Sequence, residues 1–254
     1  MRAIRRIIVL LAALLALAAA TASQARPAAR ITVLAASSLT NVLPRIDASP
    51  KYSFGGSDTL AGQIRLGAPA DVFAAANSSI PDKLYAQGLV EKPVVFTTNK
   101  LVLVTPRANP AGITSVFDLR KAGIKLIVGT PTVPIGTYTR TILKNLALSG
   151  VLSNVVSQET DVRSILGKVA LGEADAGFVY STDAKTVADK VNVIRLPAWA
   201  QPPIRYEIAI LKSSANRAGA VAFINKVLAK AGQAKLRAAG FGAVKKLATT
   251  YTGG

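Results

Sequence analysis

VVFTTNKLVLVTP, Val94 to Pro106, is longer than the other strand-like runs in this chain, and a second long run, IRYEIAILK, follows at Ile204 to Lys212. Strands of globular proteins commonly span about 5–6 residues. Each run therefore reads as chain leaving one sheet and entering another. Two such crossings insert one lobe into the other. The expected organisation is residues 30–103 plus 207–254 in lobe 1 and 104–206 in an inserted lobe 2. The cleft between lobes joined in this way lies at the carboxyl ends of strands, where α/β sheets bind ligands.

The rest of the chain fits that frame. Short apolar runs at Ile31–Ala36, Asp71–Ala76, Lys125–Thr130, Ala174–Tyr180 and Val191–Leu196 read as strands. Helical patterns begin near Leu39, Thr59, Ser79, Ser115, Gly136, Asp161 and Ser181. Alternation of this kind predicts an α/β architecture, mostly parallel sheets with helices on their faces.

The N-terminus is set apart. Arg2, Arg5 and Arg6 precede an unbroken apolar run from Ile7 to Ala20, followed by small residues through Ser23-Gln24-Ala25. This is the pattern of a secretory signal peptide over residues 1–25, with cleavage after Ala22 or Ala25. A spanning helix needs ~20 apolar residues, more than this run supplies. The mature chain is expected to be secreted across the cytoplasmic membrane, into a periplasm or an extracellular wall space.

Composition excludes several chemistries. The 254 residues contain neither cysteine nor histidine. No nucleophile can be paired with a histidine base, and no thiolate or imidazole can ligate a metal. No lysine follows a serine by three positions, and G-x-S-x-G is missing. The thirteen acids are scattered singly. No enzyme and no cofactor is expected.

The formal net charge is +18, falling to about +15 when Arg2, Arg5 and Arg6 leave with the signal. No acid follows Glu207, and eight lysines and arginines do. On the helix-like segment 215–230, Ala220, Phe223, Ile224, Val227 and Leu228 share an apolar face and leave Arg217, Lys226 and Lys230 mostly off it. The plain reading is a solvated helix face, and a docking surface is the alternative. Nucleic acid is not an expected partner, because the basic residues lack interleaved aromatics and the chain is exported.

Four junctions share a design in which a strand ends, small residues follow and a helix begins. They are Ala36-Ser37-Ser38, Gly55-Gly56-Ser57, Val133-Pro134-Ile135-Gly136 and Thr160-Asp161-Val162. A helix start offers unpaired N–H groups and about half a positive charge, together an anion site. Taken singly, a Ser, Thr or Asp before a helix is an ordinary N-cap. Their number raises the anion reading, and Tyr180, ending its strand, can add a phenolic donor.

LAASSLTN, FGGSDTLAGQI, GAPADVFAAA, VPIGTY, ETDVR and GFVYSTDA, in this order and spacing between Ile31 and Gly242, resemble the periplasmic molybdate-binding proteins of ABC transporters. The resemblance implies a two-lobed type II periplasmic-binding fold. Each lobe would be a mixed, mostly parallel sheet flanked by helices, with the ligand cleft between lobes. It implies capture of molybdate or tungstate, delivery to a membrane permease, and membrane contact only through that permease. Carried over by position, the oxyanion-binding residues are Ser38, Ser57, Ile135, Val162 and Tyr180. Molybdenum would arrive as the oxyanion, with no protein atom on the metal. A monomer is expected, and a different small oxyanion or organic anion is the alternative solute. The chain departs from the family at Asn41–Phe54, which is short and carries Pro44 inside the expected helix. It departs again at Asp58, where the family usually has a small neutral residue; Asp58 is expected to face outward.

Overall fold

The computed structural model describes residues 30–252, and the signal peptide expected at 1–25 lies outside them. Among the described residues no helix is long and apolar enough to cross a membrane. The strands are β1 (Thr32–Ala36), β2 (Lys51–Gly55), β3 (Val72–Ala75), β4 (Val94–Asn99), β5 (Leu101–Pro106), β6 (Leu126–Gly129), β7 (Val155–Glu159), β8 (Ala176–Tyr180), β9 (Val191–Arg195) and β10 (Ile204–Ile210). The helices are α1 (Leu43–Ile46), α2 (Ser57–Arg65), α3 (Ser79–Ala86), α4 (Pro134–Asn145), α5 (Val162–Ala170), α6 (Ser181–Ala184), α7 (Arg217–Leu228) and α8 (Lys230–Ala239).

Two five-stranded sheets result, ordered β2-β1-β3-β10-β4 and β7-β6-β8-β5-β9. Both are built alike. Three parallel strands, β2-β1-β3 or β7-β6-β8, are followed by one strand antiparallel to both its neighbours. That antiparallel strand, β10 or β5, is in each sheet the one that follows a crossing. The fold is a two-lobed α/β architecture of mixed, mostly parallel sheets.

The crossings differ in detail from expectation. VVFTTNKLVLVTP is two strands broken at Lys100, whose N–H is taken by the side-chain carbonyl of Asn99 at 2.9 Å. Leu101 to Leu103 pair in the second sheet and Ile204 to Tyr206 in the first. Sheet membership thus changes three residues away from the expected boundaries at 103/104 and 206/207. The polar stretch Thr97 to Lys100 interrupts the first apolar run, and the register of hydrogen bonds makes both divisions.

Two strands, β2 and β7, were implied by the junctions at Gly55 and Thr160 but not read as apolar runs. Both are edge strands with no fully buried residue, so neither carries an apolar run. The helix expected from Leu39 is instead a 3-10 turn at Ser37–Leu39 followed by the short α1. Pro44 lies in the first turn of α1, where its missing N–H costs nothing, rather than inside a longer helix. The pattern near Ser115 is a 3-10 turn closed by a capping box between Ser115 and Asp118.

Strand alternation divides the first sheet cleanly. Leu34, Phe73 and Ala75 face α2 and α3, packing with Leu60, Ala61, Ile64, Ile80 and Leu84. Val33, Ala35, Val72 and Ala74 point to the opposite face and belong to the larger core. There α7 buries Ala220, Phe223, Ile224, Val227 and Leu228, the face its periodicity predicts. Of its basic residues, Arg217 pairs with Glu91 at 2.5 Å and Lys226 with Asp47 at 2.6 Å. In the second lobe α4 and α5 pack on β6 and β8.

A buried carboxylate ties the first lobe together. Asp71 accepts from the Thr32 N–H at 2.7 Å, from Ser214 Oγ at 2.7 Å and from the Asn216 N–H at 3.2 Å. Asp71→Ala leaves two backbone donors without this acceptor and should lower unfolding stability by about 2–3 kcal/mol, read from urea denaturation. A loss under about 0.5 kcal/mol, the size of a neutral surface substitution, would refute the role.

Two other buried acids act in the opposite sense. Burial pushes Glu207, on β10, from its ordinary 4.5 up to about 7. Asp183 is fully buried and likewise pushed up to about 7, against the pull of Arg163 at 2.7 Å. Between their ordinary values and about 7, the unfolded chain ionises while the folded one keeps its protons. Stability should therefore fall as pH rises through that window and level off above it. Glu207→Gln should remove part of the decline in stability measured from pH 4.5 to 8; a curve parallel to wild type would contradict this.

Candidate functional site

The carboxyl ends of β1, β2 and β3 face those of β6, β7 and β8 across the cleft. The segments leaving them line one small cavity: Ala36 to Ser38, Gly55 to Ser57, Ala76, Val133 to Ile135, Asp161, Val162 and Tyr180. Its volume is about 10 Å³. All five sequence-predicted site residues, Ser38, Ser57, Ile135, Val162 and Tyr180, meet here.

Each presents a donor for a definite local reason. Ser57 is the first residue of α2, after Gly56 at the N-cap position, so its N–H has no acceptor within the helix. Its Oγ accepts the Ala76 N–H at 3.1 Å, which leaves the hydroxyl proton free to be donated elsewhere. Ile135 is the second residue of α4, behind Pro134, which fixes the helix entry and has no N–H of its own. Val162 opens α5. The Asp161 side chain caps that helix, its Oδ1 taking the Arg163 and Ser164 N–H groups at 2.7 and 3.2 Å and its Oδ2 the Ser164 hydroxyl at 2.7 Å. The carboxylate on the cavity wall is thereby engaged, and the Val162 N–H is left over.

Ser38 lies in the 3-10 turn, with Oγ 2.9 Å from Tyr206 Oη. Neither Ser38 nor Ser57 caps its helix through its hydroxyl, so the ordinary N-cap reading of the two serines is corrected. Their hydroxyls are held by other elements instead. Tyr180 ends β8 with its Oη buried and without a partner of hydrogen-bonding geometry. Burial holds its phenol well above the ordinary tyrosine range, so it stays protonated. Among the described residues no lysine or arginine lines the cavity. Converging neutral donors of this kind can hold a small anion stripped of water, as amide nests and helix starts do.

The cleft closes by backbone approaching backbone. A Cβ on Gly56 would collide with the Thr160 carbonyl oxygen of the other lobe. Gly136 is equally constrained, because a Cβ there would strike the carbonyls of Gly129 and Thr130. Beside this contact Thr132 Oγ1 donates to Asp58 Oδ2 at 2.6 Å, tying the start of α2 to the approach to α4. Asp58 is therefore turned away from the cavity and engaged by the opposite lobe. Tyr206 and Asn99, which the sequence reading did not single out, stand behind Ser38. A polar Asn99 ending an apolar run at a lobe crossing was the available signal.

A model of the bacterial extracellular solute-binding protein family matches residues 31–242. The chain is 38% identical over 234 residues to the molybdate-binding protein ModA of Mycobacterium tuberculosis, covering 88% of each. It is 35% identical over 207 residues to ModA of Haemophilus influenzae, covering 74% of this chain and 80% of that one. Among solved structures, the periplasmic molybdate-binding protein of Azotobacter vinelandii superposes with a TM-score of 0.76 at 25% identity, over 85% of this chain and all of that one. On its two-lobed fold, its cleft of neutral donors and these matches, the chain belongs to the bacterial extracellular solute-binding proteins.

Proposed function

We propose that this protein captures molybdate or tungstate outside the cytoplasm and hands it to the membrane permease of an ABC transporter. The observation that carries the proposal is the small cavity on which neutral donors from both lobes converge, in a chain whose relatives are named molybdate-binding proteins. Ser38 and Ser57 donate hydroxyls and amides from the first lobe. Ile135 and Val162 donate amides, and Tyr180 its hydroxyl, from the second. Only with the lobes together do both sets reach one ion, so ligand contacts favour closure. Molybdenum enters as cargo within its oxyanion and needs no protein atom on the metal. The protein acts as a monomeric binder rather than an enzyme, with no cofactor, in the periplasm or wall space.

Selection follows from size. Sulfate carries the same charge in a smaller tetrahedron and would stretch each hydrogen bond. The positive surface charge raises the local concentration of anions without choosing among them. Asp58, one of the two departures from the family, accepts from Thr132 and does not line the cavity.

Calorimetry on the purified mature protein should show molybdate and tungstate binding tighter than sulfate and phosphate by at least tenfold, about 1.4 kcal/mol. Equal affinity for sulfate would sink the assignment. Gly56→Ala should leave the melting temperature of the ligand-free protein unchanged while weakening molybdate binding by about tenfold or more, because the added methyl props the lobes apart. Wild-type affinity in that variant would show that the Gly56 contact is not needed for closure.

A further inference from the structure

Behind the cavity lies a buried chain of polar groups that the oxyanion contacts do not themselves require. Asn99 ends β4 at the first lobe crossing and is 8% exposed. Its Oδ1 accepts from the Lys100 N–H at 2.9 Å and from Ser181 Oγ at 3.2 Å. These two donors fix the orientation of the amide, so Nδ2 is the end that faces inward. Nδ2 donates to Thr182 Oγ1 at 2.9 Å and to Tyr206 Oη at 3.3 Å. Tyr206 lies on β10, just after the return crossing, fully buried between the rings of Phe96, Tyr180 and Phe241. Its Oη stands 2.9 Å from Ser38 Oγ.

We propose that Tyr206, oriented by Asn99, is a positioning residue that fixes Ser38 as a hydrogen-bond donor to the oxyanion; this rests on the functional reading above. A serine hydroxyl has one proton and can spend it on either neighbour. The 2.9 Å Ser38–Tyr206 pair admits either hydroxyl as donor; in this proposal Asn99 fills an acceptor position of Tyr206 Oη, and the phenol donates its own proton to Ser38 Oγ. Ser38 then accepts from behind and its proton is directed into the cavity. Burial holds the Tyr206 phenol well above its ordinary range, which keeps that donor protonated. The chain is also a link between lobes. Asn99 and Tyr206 belong to strands of the first sheet, whereas Ser181 and Thr182 directly follow Tyr180 in the second lobe. The lobe arrangement that brings Tyr180 to the cavity is the one that sets the polarity of Ser38.

The test is a double-mutant cycle by calorimetry on the full mature chain. It uses whichever of molybdate, tungstate, sulfate and phosphate the wild type binds most tightly. Tyr206→Phe removes only the hydroxyl and keeps the ring packing. It should weaken binding about ten- to a hundred-fold, the range for one hydrogen bond to a charged group. Ser38→Ala should lose a similar amount, and the double variant should bind no more weakly than Ser38→Ala alone. Asn99→Asp, nearly isosteric, replaces the donor with an acceptor that draws the Tyr206 proton away from Ser38. It should give a comparable loss without altering any ring. Wild-type affinity in Tyr206→Phe, or its full loss persisting on the Ser38→Ala background, would overturn the proposal. A wild type that binds sulfate best and still shows the coupling would overturn the molybdate reading but support the relay. One that binds none of the four ions would overturn both.

Discussion

The first-turn amides of a helix have no acceptor within their own helix, and the architecture of this protein is arranged around that deficit. Three helices, α2, α4 and α5, begin at the carboxyl ends of parallel strands and point their starts at one cavity. Parallel strands make this possible. All three in a sheet end on the same side, so the segments that leave them are gathered along one edge. Two sheets of the same design, set edge to edge, turn two rows of such starts into a shell.

A shell of neutral donors works only if water is kept out, because each hydrogen bond to an anion gains strength as the local dielectric falls. The protein excludes water with backbone rather than bulky side chains. Gly56 lies against the Thr160 carbonyl, and Gly136 lets the start of α4 settle onto the end of β6. Around them Val133, Ile135 and Val162 are almost completely buried. Charged groups near the site are engaged elsewhere: Asp161 caps α5, Asp58 accepts from Thr132, and Arg163 pairs with Asp183. No lysine or arginine of the described residues lines the cavity, so the strong positive charge of the chain lies elsewhere.

Much of this was legible in the residues, and what was missed has consistent physical causes. The strands buried on both faces, such as β3 and β8, announce themselves as apolar runs. The edge strands β2 and β7 do not, since half their side chains meet solvent. The apolar face of α7 could be named residue by residue because a helix repeats on a short local period. The break at Lys100 lies in the polar stretch Thr97 to Lys100, where the Asn99 side-chain carbonyl accepts the Lys100 N–H, but hydropathy does not say which sheet each half joins. The five cavity residues could be named because helix starts and the family's motif spacing are local patterns. Tyr206 lies 168 positions from its partner Ser38 and belongs to no such pattern.

From the sequence alone come the α/β alternation, two crossings and hence two lobes, the absence of histidine and cysteine chemistry, and the helix starts available to an anion. These follow from nearest-neighbour properties of the chain: hydropathy period, glycine and proline placement, and residue chemistry. The tertiary structure decided how the hydroxyls are used. Ser57 is turned by the Ala76 amide just after β3, and Ser38 by Tyr206 at the return crossing. It also decided that Asp58 belongs to the seam between lobes and not to the cavity wall. A hydroxyl or a carboxylate can face several ways at one position in a sequence. Its direction is set by whichever partner the fold brings within three ångströms, and those partners come from other strands and the opposite lobe.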